Sequence, residues 1–126
     1  MIVYNRSNKD DGLDKQLGFE YVTSLGEFLS RSDIVSLHCP GGADTKEIIN
    51  KEFLAHMKPE AVLINTVRGS VVKDEDLLAH LEANKNFWYG TDVFNGEPAT
   101  GKAEFVNKIA QHPRVYGTHH IGASTK

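Results

Sequence analysis

The sequence has one cysteine, Cys39, so no disulfide can form within the chain, and a reducing compartment such as the cytoplasm is its natural setting. It also lacks an excess of positive charge. A formal net charge of -3 argues against a nucleic-acid binder, which needs basic side chains to neutralise phosphates. No apolar run is long enough to cross a bilayer, so no membrane partner is expected. The first eleven residues are polar after Tyr4 and lack the apolar centre of a secretion signal. No internal repeat or low-complexity tract is present. A G-x-G-x-x-G loop is missing, and nothing near Gly41-Gly42 carries the Lys-Ser/Thr ending of a phosphate loop. His119-His120 and His38-Cys39 raise the question of a metal. Adjacent histidines point in different directions on an extended chain, and no paired zinc-type spacing occurs, so no metal is expected.

What remains is an ordinary soluble mixture. The 126 residues are 40% hydrophobic and 25% charged, enough for one domain. Met1 to Tyr4 reads as a short buried strand. Leu13 to Leu17 reads as a helical turn or two ended by Gly18, and Phe19 to Val22 as a second strand. Ser24 is placed to cap a helix through Leu25, Phe28 and Leu29. Ile34 to His38 is a third strand, stopped at Pro40-Gly41-Gly42. Asn50 caps a helix carrying Phe53, Leu54 and Met57, and the apolar strand Ala61 to Thr66 follows, ending at Arg68-Gly69. Asp74 to Asn84 is the clearest helix. Its three early acids favour the positive end of its dipole, and Leu77, Leu78 and Leu81 form its core face. Strands at Trp88 to Val93 and Val115 to Thr118 close the pattern, with a short helix expected at Phe105 to Ala110.

Strands alternating with helices predict βαβ units, an α/β fold and a mostly parallel sheet covered on both faces. Ligands of such sheets bind outside the carboxyl ends of the strands. Asn5, His38-Cys39, Thr66-Val67-Arg68, Asp92 and His119-His120 all fall at those ends. Arg68 can offer a planar pair of donors to a carboxylate, or can simply cap a strand end at the surface. Glu97 follows one strand and His120 the next. A carboxylate beside an imidazole raises its pKa toward neutrality and suits it to proton transfer. For an arbitrary Glu and His, two unrelated surface groups are the commoner reading.

Four segments taken together carry a resemblance. They are Ser32-Asp33-Ile34-Val35-Ser36-Leu37-His38-Cys39-Pro40, Met57-Lys58-Pro59 through Asn65-Thr66-Val67-Arg68-Gly69, Gly90-Thr91-Asp92-Val93-Phe94 to Glu97-Pro98, and Thr118-His119-His120-Ile121-Gly122-Ala123-Ser124-Thr125. In this order and spacing the chain resembles the NAD-binding domain of D-isomer-specific 2-hydroxyacid dehydrogenases, and its ending looks most like the 3-phosphoglycerate dehydrogenases. The resemblance implies that Arg68 holds the substrate carboxylate and carbonyl. It implies that His120 exchanges the hydroxyl proton and that Glu97 hydrogen-bonds His120. Asp92 would contact the nicotinamide end of the cofactor, and Asn5 the adenosine ribose. Cys39, Thr66 and Val67 would line the cleft, with Gly122 and Ala123 also at the cofactor. A small 2-hydroxy acid such as 3-phosphoglycerate is the implied substrate, with a glyoxylate or hydroxypyruvate reductase the alternative within the family, and the enzyme is expected to be a cytoplasmic homo-oligomer.

Two departures from the family pattern stand out. His119 occupies the position where a proline usually precedes the catalytic histidine. Asn5 stands where NAD-specific members usually carry Asp, so repulsion of a 2′-phosphate is lost, and Arg6 and Ser7 could bind one. NAD is the family default and NADP stays open. The expected fold is therefore an incomplete Rossmann-type doubly wound sheet spanning residues 1–126, without the first strand, the glycine-rich loop or the substrate-binding domain. Such a chain is expected to be inactive alone. The strand missing from mid-sheet predicts either strand exchange between copies or direct pairing of Met1 to Tyr4 with Ile34 to His38. A remnant that keeps the fold but has lost turnover is the alternative reading.

Overall fold

The computed structural model describes residues 1–95 and 108–118. Among them, six short strands, four α-helices and two single-turn 3-10 helices follow one another, with an α-helix between each pair of successive strands up to the fifth. β1 (Val3–Tyr4) and β2 (Glu20–Tyr21) pair in parallel, with α1 (Leu13–Leu17) crossing between them and ending at Gly18, φ 76°. Tyr4, Phe19 and Tyr21 pack edge and face against one another, with ring centroids 4.9–6.0 Å apart.

The larger sheet has the order β3-β4-β5-β6 and is parallel throughout. Its strands are β3 (Ile34–Leu37), β4 (Val62–Asn65), β5 (Trp88–Thr91) and β6 (Val115–Gly117). The helices between them start where the sequence provides caps. Ser24 accepts from the Glu27 amide at the head of α2 (Leu25–Arg31), and Asn50 accepts from the Phe53 amide at the head of α3 (Lys51–His56). α4 (Asp74–Ala83) carries the three expected acids in its first turn. Two of them also act between elements: Asp76 accepts from the Lys51 amide at 2.8 Å, and Asp74 accepts from the Asn95 amide group at 3.0 Å.

Period-two side-chain alternation separates the two faces of the sheet. Val35, Leu37, Leu63 and Tyr89 point to the buried side and join Leu29, Phe53, Leu54, Leu77, Leu81 and Phe87 in one core. Ile34, Trp88 and Tyr116 point the other way and are 65%, 47% and 79% exposed. Of the two faces expected to be covered, one is covered and the other is open among the described residues. Of the two outcomes expected for the first strand, its direct pairing with Ile34 to His38 does not occur. Among the described residues β1 pairs with β2 alone and β3 with β4 alone, leaving two separate sheets. β1 is only two residues long, and Asn5 bonds toward β2 rather than toward β3. The helix expected at Phe105 to Ala110 falls largely outside the described residues, and 108–111 form turns.

Candidate active site at the carboxyl edge of the sheet

Because β3 to β6 run parallel, their carboxyl ends share one edge. Cys39 leaves β3 half-buried as a free thiol. Beyond β4, Thr66 is exposed, Val67 half-buried and Arg68 exposed. Asp92 lies half-buried just past β5, and Thr118 half-buried just past β6.

The loop bearing Arg68 is held from three sides. Asn65, fully buried at the end of β4, donates its amide to the Arg68 carbonyl at 3.1 Å. The stem of Arg68 lies against Gly41, where an added Cβ would come within 2.7 Å of the arginine Cγ. At Gly69 an added Cβ would fall 2.3 Å from the carbonyl carbon of Phe94 and 2.5 Å from the amide of Asn95, so only glycine admits this approach of backbones. The loop after β5 is thereby seated on the loop after β4. The Arg68 guanidinium donates to the Val67 carbonyl at 2.6 Å and makes no ion pair among the described residues. Arg6, Arg31 and Arg114, by contrast, are each bound to an acid or to several carbonyls.

Asp92 is fixed at both ends. Its amide donates to the Asn65 carbonyl at 3.3 Å, and its carboxylate accepts from the Thr118 hydroxyl at 2.5 Å. Beneath this edge the Tyr89 hydroxyl accepts from Asn65 at 3.1 Å. Burial pushes the Tyr89 pKa up, against the opposing influence of hydrogen bonds with Thr91 and Asn65, so the phenol stays neutral.

The structure brings Arg68, Thr66, Val67, Cys39 and Asp92 to one edge. It sets Asn5 and Arg6 on the smaller sheet. There the Asn5 amide donates to the Val22 and Thr23 carbonyls at 2.8 and 3.3 Å, and Arg6 pairs with Asp10 at 3.0 Å. Glu97, His120, Gly122 and Ala123 lie outside the described residues. Sequence reasoning assigned no role to Asn65, Tyr89 or Thr118. For Asn65 the signal was available, since an amide at the end of the apolar run Ala61-Val62-Leu63-Ile64 must find partners. Among the described residues no group of three or more His, Cys, Asp or Glu side chains could hold a metal ion. No helix among them is long and apolar enough to cross a membrane.

The family model of the D-isomer specific 2-hydroxyacid dehydrogenase, NAD binding domain, matches residues 1–122. The chain belongs to this family. As an NAD-binding domain of the 2-hydroxyacid dehydrogenases it is 38% identical over 112 residues to a hydroxypyruvate reductase of Thermotoga maritima, covering 89% of this chain and 36% of that protein. It is 41% identical over 104 residues to a D-3-phosphoglycerate dehydrogenase of Haemophilus influenzae, covering 82% and 25%. The chain thus spans about a third or less of these relatives. Among solved structures, the holo form of D-mandelate dehydrogenase from Rhodotorula graminis superposes with a TM-score of 0.85 at 34% identity, over 98% of this chain and 35% of that one. The Rossmann-like parallel α/β fold and NAD as the cofactor follow from this membership. The three relatives are named for three different acids, so they leave the substrate open.

Proposed function

We propose that residues 1–126 are part of the nucleotide-binding domain of an oxidoreductase that transfers a hydride between NAD and a D-2-hydroxy acid, with 3-phosphoglycerate the first acid to test. The observation that carries this reading is the joint placement of Arg68 and Asp92. An arginine with no acidic partner among the described residues and a carboxylate clamped by a hydroxyl leave neighbouring strands at the carboxyl edge of a parallel sheet, where nucleotides bind.

These residues fit the nicotinamide half of the cofactor. Asp92, held by the Thr118 hydroxyl, would face the carboxamide. Val67, Thr66 and Cys39 would form the wall beside it, with Gly122 and Ala123 adding backbone close to the dinucleotide. Asn5 and Arg6 belong to the adenosine end, and the pyrophosphate calls for a glycine-rich loop beyond the residues of this sequence. When bound, the cofactor would supply the acceptor for a hydride from C2 of the hydroxy acid.

The chain's own residues handle charge and the proton. Arg68 would grip the substrate carboxylate with two parallel N–H donors and also polarise the oxygen on C2. His120 would take the hydroxyl proton in oxidation and return it in reduction. Glu97 would keep the imidazole oriented and raise its pKa. In the sequence His120 follows β6 by three residues and Thr118, whose hydroxyl bonds Asp92, by two.

The test is a spectrophotometric assay of the complete enzyme that carries this domain, with NADH and 3-phosphohydroxypyruvate, hydroxypyruvate, glyoxylate and pyruvate. Turnover of at least one, with kcat lost in His120→Ala and kcat/KM lowered at least 100-fold in Arg68→Ala, is expected. Absence of NADH oxidation with all four, from a folded enzyme that binds NADH, would refute it.

A further inference from the structure

We propose that Asn65 is a positioning residue for Arg68, its side-chain amide locking the loop after β4 in the geometry that presents the guanidinium to substrate. The proposal rests on the substrate-binding role assigned to Arg68 above.

Asn65 has no exposed surface, so its amide must be satisfied by protein. Its Nδ2 donates to the Arg68 carbonyl and to the Tyr89 hydroxyl, each at 3.1 Å, which uses both hydrogens. Its Oδ1 accepts from the Val67 amide at 3.0 Å. These partners allow one orientation only. Rotating the amide by half a turn would set Oδ1 against the Arg68 carbonyl and Nδ2 against the Val67 N–H, opposing like groups at two places.

The side chain thus closes a turn over Thr66-Val67-Arg68 and ties that turn, through Tyr89, to β5. The Asn65 carbonyl continues the link by accepting from the Asp92 amide. One buried residue therefore bridges the loops carrying Arg68 and Asp92. Other side chains fail in identifiable ways. Aspartate has no donor for the Arg68 carbonyl. Leucine would leave the Val67 N–H and the Arg68 C=O without these partners. Gly41 and Gly69 restrain Arg68 by contact alone, whereas Asn65 fixes its peptide by direction.

Two measurements on Asn65→Ala and Tyr89→Phe test this. In the 126-residue chain, NMR hydrogen exchange and 15N relaxation follow the Val67 amide, the Arg68 backbone and the Arg68 Nε–H. Asn65→Ala should speed Val67 exchange at least ten-fold and lower the Arg68 order parameters while the amides of β3 keep their protection. In the complete enzyme, the KM for the 2-oxo acid should rise and kcat/KM should fall about 10- to 100-fold, as expected for misplacement of a substrate-holding group. The dissociation constant for NADH should change by clearly less than kcat/KM, because Arg68 is assigned to the substrate. Combined with Arg68→Lys, the losses should be clearly less than additive, because both changes disable the same contact.

A folded Asn65→Ala with wild-type Arg68 dynamics, or losses that add to those of Arg68→Lys, or an equal loss of NADH affinity, would overturn the proposal. Should Asn65→Ala not fold, Tyr89→Phe decides: a few-fold faster Val67 exchange with a few-fold drop in kcat/KM supports it, and no change in either refutes it. An enzyme that turns over no 2-oxo acid would refute the proposed function, while the NMR measurements would still decide the role of Asn65 in holding the Arg68 loop.

Discussion

The Thr118 hydroxyl donates to Asp92 Oδ1 at 2.5 Å, joining the ends of β5 and β6 at the candidate site. A threonine that spends its proton on a carboxylate fixes the direction of the acid's remaining lone pairs. Thr118→Val keeps the shape and removes the donor. In the complete enzyme this change should weaken NADH binding by about 3- to 30-fold, the equivalent of about 1–2 kcal/mol for a charge-assisted hydrogen bond. Fluorescence titration with NADH measures it, and an unchanged dissociation constant would show that Asp92 holds its place without Thr118.

Gly69→Ala tests how the two site loops are seated. The added methyl group would meet the backbone of Phe94 and Asn95, neither of which can rotate away. Destabilisation of about 1–3 kcal/mol is expected from forced overpacking. Urea denaturation of the variant and the wild type checks this. Arg68→Ala serves as the control, since its exposed side chain should cost little stability.

Arg114 is a structural arginine that the sequence did not announce. Its guanidinium donates to the carbonyls of Leu81, Asn84 and Phe87, capping the carboxyl end of α4 from the start of β6. Arg114→Ala should cost about 2–4 kcal/mol, because it leaves several part-buried carbonyls without a cationic donor at the negative end of a helix. A drop in thermal midpoint of only a degree or two would contradict this.

His80 makes stability depend on pH. Burial lowers its pKa below the ordinary value, and its Nε2 is buried without a hydrogen-bond partner among the described residues while the ring stands edge-on to Phe87. A histidine whose folded pKa is depressed binds fewer protons in the folded state than in the unfolded state. Its contribution is therefore fully present above the unfolded pKa of about 6.5 and is lost as pH falls through that value toward the lower folded pKa. His80→Leu should flatten the loss of stability between pH 7.5 and about 5, the range set by that unfolded value. Denaturant midpoints of both proteins across the range provide the comparison, and parallel curves would remove His80 as the cause.

Substitution of Asn5 tests the proposed role in cofactor choice and its part in folding together. Its amide donates to the Val22 and Thr23 carbonyls, where an aspartate would set oxygen against oxygen. Asn5→Asp should thus raise the preference for NAD over NADP in the complete enzyme, by repelling a 2′-phosphate, while destabilising the β1–β2 unit by about 1–2 kcal/mol. The ratio of kcat/KM for the two cofactors and a thermal melt read the two effects separately. A preference that does not move would show that residue 5 takes no part in the choice.

Much of this protein was legible locally. Ser24 and Asn50 announced helix starts, because a cap needs only a side-chain oxygen and an amide three residues on. Gly18 marked the end of α1, and the apolar run Ala61 to Ile64 marked a central strand. The parallel arrangement followed from the alternation of strands and helices, and with it the common edge where Arg68 and Asp92 emerge. Tertiary structure decided the rest, since it depends on which groups meet across long separations. Asp76 bonds to Lys51, Asn95 to Asp74, and Thr118 to Asp92, each pair more than twenty residues apart. The partners of Asn65 include Tyr89, twenty-four residues away, and no local pattern names it. The open face bearing Ile34, Trp88 and Tyr116 is of the same kind. Their apolar character argued for burial, but which side of the sheet receives helices is settled by how the crossovers pack, and a strand's own alternation says only that its two sides differ.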